Sequence, residues 1–141
     1  MNMNKLLKKL AALSVIITGF LTSVGAQETY SPAGTYQFAV KDGNALYLDE
    51  YPASAGSETT LKGYKKPSIV FVFGGGFKGG ERSHKEYLPW FKMLNDEGYT
   101  VLTIDYRLGM KGVKTKGGIG SVKQFYHSVR IACEDLFSAT K

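Results

Sequence analysis

Three consecutive glycines, Gly74-Gly75-Gly76, follow directly on the apolar run Ile69 to Phe73. With no Cβ in the way, main-chain N–H groups in such a turn can converge on an anion or on the oxyanion of a reacting carbonyl. Further along, Asp105 and Arg107 close a second apolar run and offer a carboxylate and a guanidinium. Other groups capable of acid–base or nucleophilic work read differently. His84 falls at a helix start and His127 lies between Phe125 and Val129 on a helix, so both are read as helix histidines rather than members of a triad. Cys133 has the helical spacing of a small core residue, and as the only cysteine it forms no internal disulfide. No Gly-x-Ser-x-Gly turn occurs in the 141 residues.

The elements that must position these residues follow from periodicity. Successive Val and Phe between Ser68 and Phe73 suit a strand buried on both faces, as in a central parallel strand, and such strands end at ligand sites. Upstream, Tyr36, Phe38 and Val40 alternate with Gln37, Ala39 and Lys41 in a half-buried strand. Asp42-Gly43-Asn44 supplies a turn, and Ala45 to Tyr51 returns with Leu46 and Leu48 on one face and Tyr47, Asp49 and Tyr51 on the other. This predicts a hairpin, followed by a loop over Pro52 to Lys66.

Beyond the glycines, Ser83 with Glu86 makes a capping box, and Tyr87, Leu88, Phe91 and Leu94 recur at helical spacing. Pro89 in the second turn means that this helix kinks or begins later than the cap suggests, and Gly98 stops it. Tyr99 to Ile104 forms a second apolar strand, so the strand–helix–strand unit predicts a parallel pair. Gly109 to Gly120 reads as a mobile surface loop. Ser121 with Gln124 makes a second capping box, opening a helix whose apolar face is Phe125, Val129, Ala132, Cys133, Leu136 and Phe137.

The front of the chain reads as an export signal. Lys5, Lys8 and Lys9 form a basic segment, Leu10 to Val24 an apolar one too short to span a membrane, and Val24-Gly25-Ala26 a cleavage site after Ala26. The expected location is the periplasm or the extracellular space. Loss of the three lysines lowers the formal charge from +6 to +3. The lysines that remain at Lys111, Lys114, Lys116 and Lys123 lie in a glycine-rich stretch without interleaved aromatics, which argues against nucleic acid as a partner.

This order of elements resembles the N-terminal half of an α/β-hydrolase. It is most similar to the secreted bacterial carboxylesterases and acetyl or feruloyl esterases whose oxyanion motif is His-Gly-Gly-Gly. Phe73-Gly74-Gly75-Gly76-Phe77 stands at the place of that motif, and Asp105-Tyr106-Arg107-Leu108 at the place of a similar quartet after the next strand. The resemblance covers nearly all of residues 27–141. It implies an α/β fold in which a β-hairpin precedes a β-α-β-α unit on a parallel sheet core. It also implies serine-type hydrolysis of acyl esters, such as those of plant polysaccharides, with no cofactor and no metal.

The same resemblance places the oxyanion donors on Gly75 and Gly76, with Gly74 shaping the turn and Phe73 and Phe77 supporting it. Asp105 and Arg107 are implied to brace loops near the site by hydrogen bonds and an ion pair. Phe73 replaces the motif's His, which helps to hold the loop, whereas the backbone donors do not depend on that side chain. In these enzymes the glycines precede a nucleophilic Ser, an acid and a His. None of the three is assigned in this chain, so residues 27–141 are expected to be the front part of an esterase domain, truncated before the nucleophile elbow and inactive alone. The family sheet sets Ser68 to Phe73 beside the missing strand, which leaves an apolar edge open to aggregation or to a sheet-completing partner.

Two other readings compete with this resemblance. Gly74, Gly76 and Gly79 satisfy the Gly-x-Gly-x-x-Gly of dinucleotide-binding units, but the capping box puts the helix start beyond them. Asp105 also lies farther past Gly76 than the roughly 20 residues expected of a ribose-binding acid. An exported glycan-binding fragment could use the nine tyrosines for stacking, although their alternation with Leu and Phe suits sheet packing.

Overall fold

The computed structural model describes residues 30–57, 67–114 and 118–141. Strands β1 (Gly34–Lys41), β2 (Asn44–Tyr51), β3 (Ser68–Val72) and β4 (Thr100–Ile104) form one sheet in the order β1-β2-β4-β3. Helix α1 (Leu88–Asp96) connects β3 to β4, and α2 (Ile119–Ala139) follows β4. The first two strand pairs across the sheet are antiparallel and β3 runs parallel to β4. The fold is therefore α/β, with the hairpin and the β-α-β-α order expected.

Asp42 and Gly43 form the two-residue hairpin loop, both with left-handed backbone (φ 50° and 74°), the conformation that matches the twist of the flanking strands. A bulge at Phe38 interrupts the alternation of β1. Strand β2 is interior and buries residues on both faces. Tyr51 packs against the rings of Tyr30 and Phe91, and Asp49 on the same face is buried among polar groups. Tyr51, Phe91 and Val101 form the core between sheet and α1, with Phe71, Tyr87, Leu88 and Leu94 packed around it.

Strand β3 pairs only with β4 among the described residues, and Val72 is 43% exposed, which is the open apolar edge expected of Ser68 to Phe73. The doubly buried strand is β4, through Val101, Thr103 and Ile104. An apolar run reports the suitability of a strand for burial, and the order in the sheet decides which strand receives it.

Neither capping box forms. Helix α1 begins at Leu88 after Tyr87, with no side-chain cap, because the Ser83 hydroxyl donates to Asp49 Oδ2 at 2.6 Å instead. Of the two expectations for Pro89, the later start is the one observed: the proline occupies the first turn, where its missing N–H is no loss. Gly98, with φ 84°, ends the helix as expected. Helix α2 begins at Ile119, and the Gln124 amide reaches the Gly109 carbonyl at 2.8 Å rather than its own N-terminus.

The fully buried residues of α2 are Ser128, Ile131 and Asp135; of the apolar set expected, Val129, Ala132 and Leu136 are half-buried. Phe125 is half exposed, Phe137 more so, and Cys133 is exposed, which corrects its reading as a core residue. A polar clamp on Asp135 and the close approach of Gly109 to Ser128, where a Cβ would lie 2.9 Å from the Ser128 Cα, set the rotation of the helix. The stretch after β4 is also anchored at its start: Met110 is buried and donates its N–H to the Phe77 carbonyl at 2.9 Å. The proposed signal at residues 1–26 and most of the Pro52–Lys66 loop lie outside the described residues.

Candidate functional site

The glycine turn leaves the sheet at the carboxyl end of β3. Gly75 and Gly76 have φ 135° and 61°, and Phe77 keeps φ 60°, a left-handed conformation unusual for a bulky side chain. A Cβ on Gly75 would collide with the Gly79 carbonyl oxygen, whereas one on Gly74 would meet nothing within 4 Å. The turn closes through the Lys78 N–H, which donates to the Gly75 carbonyl at 3.1 Å. Gly74, Gly75 and Gly76 are exposed, and their N–H groups donate to no acceptor among the described residues. Two successive amides without an acceptor at the end of a parallel strand are open to an anion or a developing oxyanion.

Both phenylalanines that flank the turn are held. Phe73 is buried and stacks on Tyr106, with ring centroids 4.4 Å apart, and the Tyr106 hydroxyl donates to the Phe73 carbonyl at 2.8 Å. Burial and, secondarily, the Tyr87 charge push the Tyr106 hydroxyl above its ordinary pKa, so it remains a donor at neutral pH. The Phe77 ring lies edge-on to Tyr106 and to Phe125 at 6.0 and 5.6 Å. The entrance of the turn is thus held by an aromatic stack.

Asp105 and Arg107 do not pair with one another; each ties together different elements. Asp105 Oδ2 accepts from the Tyr47 N–H at 3.1 Å and from Arg82 Nη1 at 2.7 Å. Arg107 donates to the fully buried Asp135 from its backbone N–H at 2.8 Å and from Nε at 3.0 Å, and its Nη1 reaches Asp42 Oδ2 at 2.6 Å. The bond to Asp135 holds the guanidinium above its ordinary pKa against the opposing effect of burial. Lys41 Nζ, 3.2 Å from Asp135, completes a charge clamp between the hairpin and α2. An open cleft of about 420 Å³ lies beside it, lined by Asn44, Leu46, Phe73, Gly80 and Ile131 among others, adjoining the base of the turn rather than Gly75 and Gly76.

Sequence reasoning missed Arg82, Asp49 and Asp135. Asp49 accepts hydrogen bonds from Thr35 and Ser83, each 2.6 Å long, and Arg82 Nε lies 2.9 Å away as an ion pair without hydrogen-bond alignment. Burial by itself would raise the Asp49 pKa; the Ser83 and Thr35 bonds and the Arg82 charge outweigh it, and the net direction is downward. His84 and His127 take no part in the turn. His84 faces Tyr87, and His127 lies on the exposed side of α2 near Arg130.

The remaining alternatives gain nothing from this geometry. With α1 starting at Leu88, no helix N-terminus stands among the glycines to receive a pyrophosphate. Tyr30, Tyr51, Tyr87 and Tyr106 are engaged in ring packing, while Tyr36 and Tyr126 are exposed on β1 and α2.

No protein-family model matches this chain, and no curated protein matches it. Among solved structures, it is similar to a thermophilic esterase from the planctomycete Thermogutta terrifontis. The butyrate-bound form aligns at 23% identity over 77% of this chain and 37% of that one, with a TM-score of 0.46. The apo form aligns at 23% over 76% and 38%, with a TM-score of 0.45. A form phosphorylated by paraoxon aligns at 23% over 76% and 39%, also at 0.45. The chain spans less than two fifths of the length of these structures.

Proposed function

We propose that this chain supplies the oxyanion-hole part of a serine-type carboxylic ester hydrolase acting on acyl esters such as those of plant polysaccharides. The observation that carries the proposal is the pair of exposed, unbonded amides at Gly75 and Gly76, presented by a turn at the end of a parallel strand. When a nucleophile adds to an ester carbonyl, the charge that forms on oxygen is stabilised by donors at about 2.7–3.1 Å, each worth roughly 10²–10³ in rate. The flanking Phe73 and Phe77, both braced on Tyr106, keep such donors in place before the substrate arrives.

The position of Asp105-Tyr106-Arg107-Leu108 directly after β4, with each charged member bracing a neighbouring element, supports the same assignment. The nucleophilic Ser, its acid and its His belong on this account to residues outside the chain, which alone is expected not to turn over an ester. The basic and apolar character of residues 1–26 suits an exported enzyme.

Translation of the encoding DNA past the codon for Lys141 tests the assignment. A Gly-x-Ser-x-Gly elbow followed by an acid and a His is the expected result. A stop codon followed by unrelated sequence would overturn it.

A further inference from the structure

We infer that Arg82 is a positioning residue for the Gly75 and Gly76 amides, a role that rests on reading their turn as an oxyanion hole. The turn is shut where its two ends meet. A Cβ on Gly80 would lie 2.6 Å from the Phe73 ring and 2.7 Å from the Gly74 carbonyl oxygen, so the exit of the turn sits directly on its entrance. The entrance is fixed by β3 and by the Tyr106 hydroxyl on the Phe73 carbonyl. The exit needs an anchor of its own.

Glu81 is exposed, and Arg82 is the first residue after Gly80 to be tied down. Its Nη1 donates to Asp105 Oδ2 at 2.7 Å, its Nε lies 2.9 Å from Asp49 Oδ2, and its guanidinium carbon is 5.7 Å from the centre of the Tyr47 ring. Its carbonyl accepts from Thr103 Oγ1 at 2.5 Å. Asp49 and Tyr47 belong to β2, Thr103 to β4, and Asp105 follows β4 directly, so the Arg82 side chain fastens the exit of the turn to β2 and to the end of β4, while its carbonyl adds a backbone bond to β4 that a substitution leaves in place. A planar guanidinium can span two carboxylates and lie against a ring at once; a lysine ammonium, a point charge on a flexible stem, cannot. The orientation of the amides is thereby set in advance, so that no binding energy is spent in ordering them.

The test is a titration of the ¹⁵N-labelled chain with sodium acetate, using sodium chloride as the control and following the Gly75 and Gly76 amide resonances. In the wild type these resonances move with acetate and not with chloride; their failure to move would overturn the oxyanion reading and this inference with it. In Arg82→Met the acetate-induced movement per unit concentration falls about tenfold, with Arg82→Lys intermediate and the core amides of Phe91 and Val101 unchanged. A wild-type response that persists in Arg82→Met would overturn the positioning role alone. Should Arg82→Met fail to fold, Asp105→Asn weakens only one arm of the anchor: a partial loss of response supports the role, and an undiminished response overturns it.

Discussion

The Tyr106 hydroxyl donates to the Phe73 carbonyl at 2.8 Å while the two rings stack with their centres 4.4 Å apart. A residue after β4 thereby grips the last residue before the glycine turn by both its polar tip and its apolar body. Replacing Tyr106 by Phe keeps the stack and orphans a buried carbonyl, a loss of about 1–3 kcal/mol. The urea midpoint of unfolding should fall accordingly, with little change in m-value.

The glycines of the turn are not equivalent. Gly75→Ala places a Cβ against the Gly79 carbonyl on a backbone with φ 135°, so the turn must deform, at a cost of about 1–3 kcal/mol. Gly74→Ala meets open space at a backbone position without positive φ and should be close to neutral. Thermal unfolding of the two variants side by side checks this, with a clear drop in Tm for the first only.

Asp135 is fully buried and carries the positive charges of Arg107 and Lys41. Replacing Arg107 by Met leaves that carboxylate with only the more distant lysine and should destabilise the fold by about 3–5 kcal/mol, as removal of one partner from a buried pair does. Limited proteolysis should then cut α2 first, because this clamp rather than an apolar face holds the helix to the hairpin.

These polar anchors mark the boundary of what the amino-acid sequence discloses. The hairpin was legible because Asp42-Gly43 is a turn pair between alternating runs, and the β3–α1–β4 unit because two apolar runs flank a helical pattern stopped by Gly98. The glycine turn was legible from glycine itself, since few other residues tolerate such backbone. The roles of Ser83 and Gln124 were not. Both suit a capping box locally, but tertiary acceptors at Asp49 and Gly109 took them instead. Long-range partners are invisible to spacing, which is also why nothing in the local sequence marks Arg82 or Asp135 and why the helical pattern of Phe125 and Phe137 suggests core where both are exposed.

Stability should fall at both extremes of pH for identifiable reasons. The folded-state pKa of Asp49 is depressed, so its contribution is present above the unfolded value of about 4 and is lost as pH falls through the folded one. Ser83→Ala, which removes one of the bonds responsible, should flatten the acid limb of a plot of Tm against pH.

Tyr30 acts in the opposite sense. Burial first, then the charges of Tyr51 and Asp96, push it from its ordinary value of 10.0 up to about 12. Its contribution is present below pH 10 and is lost as pH rises toward 12. The Tyr30 hydroxyl donates to Asn95 Oδ1, and Asn95 in turn donates to the Tyr51 and Tyr99 carbonyls. Tyr30→Phe should therefore lower Tm at neutral pH and show a shallower alkaline decline than the wild type.

Hydrolysis of p-nitrophenyl acetate by the product of the complete reading frame that contains this chain tests the oxyanion assignment most directly. The expected result is turnover that a serine-directed organophosphate abolishes and that Gly75→Ala lowers by roughly 10²-fold, the scale of losing one oxyanion donor. Absence of hydrolysis above the uncatalysed rate, or activity indifferent to Gly75→Ala, would contradict it.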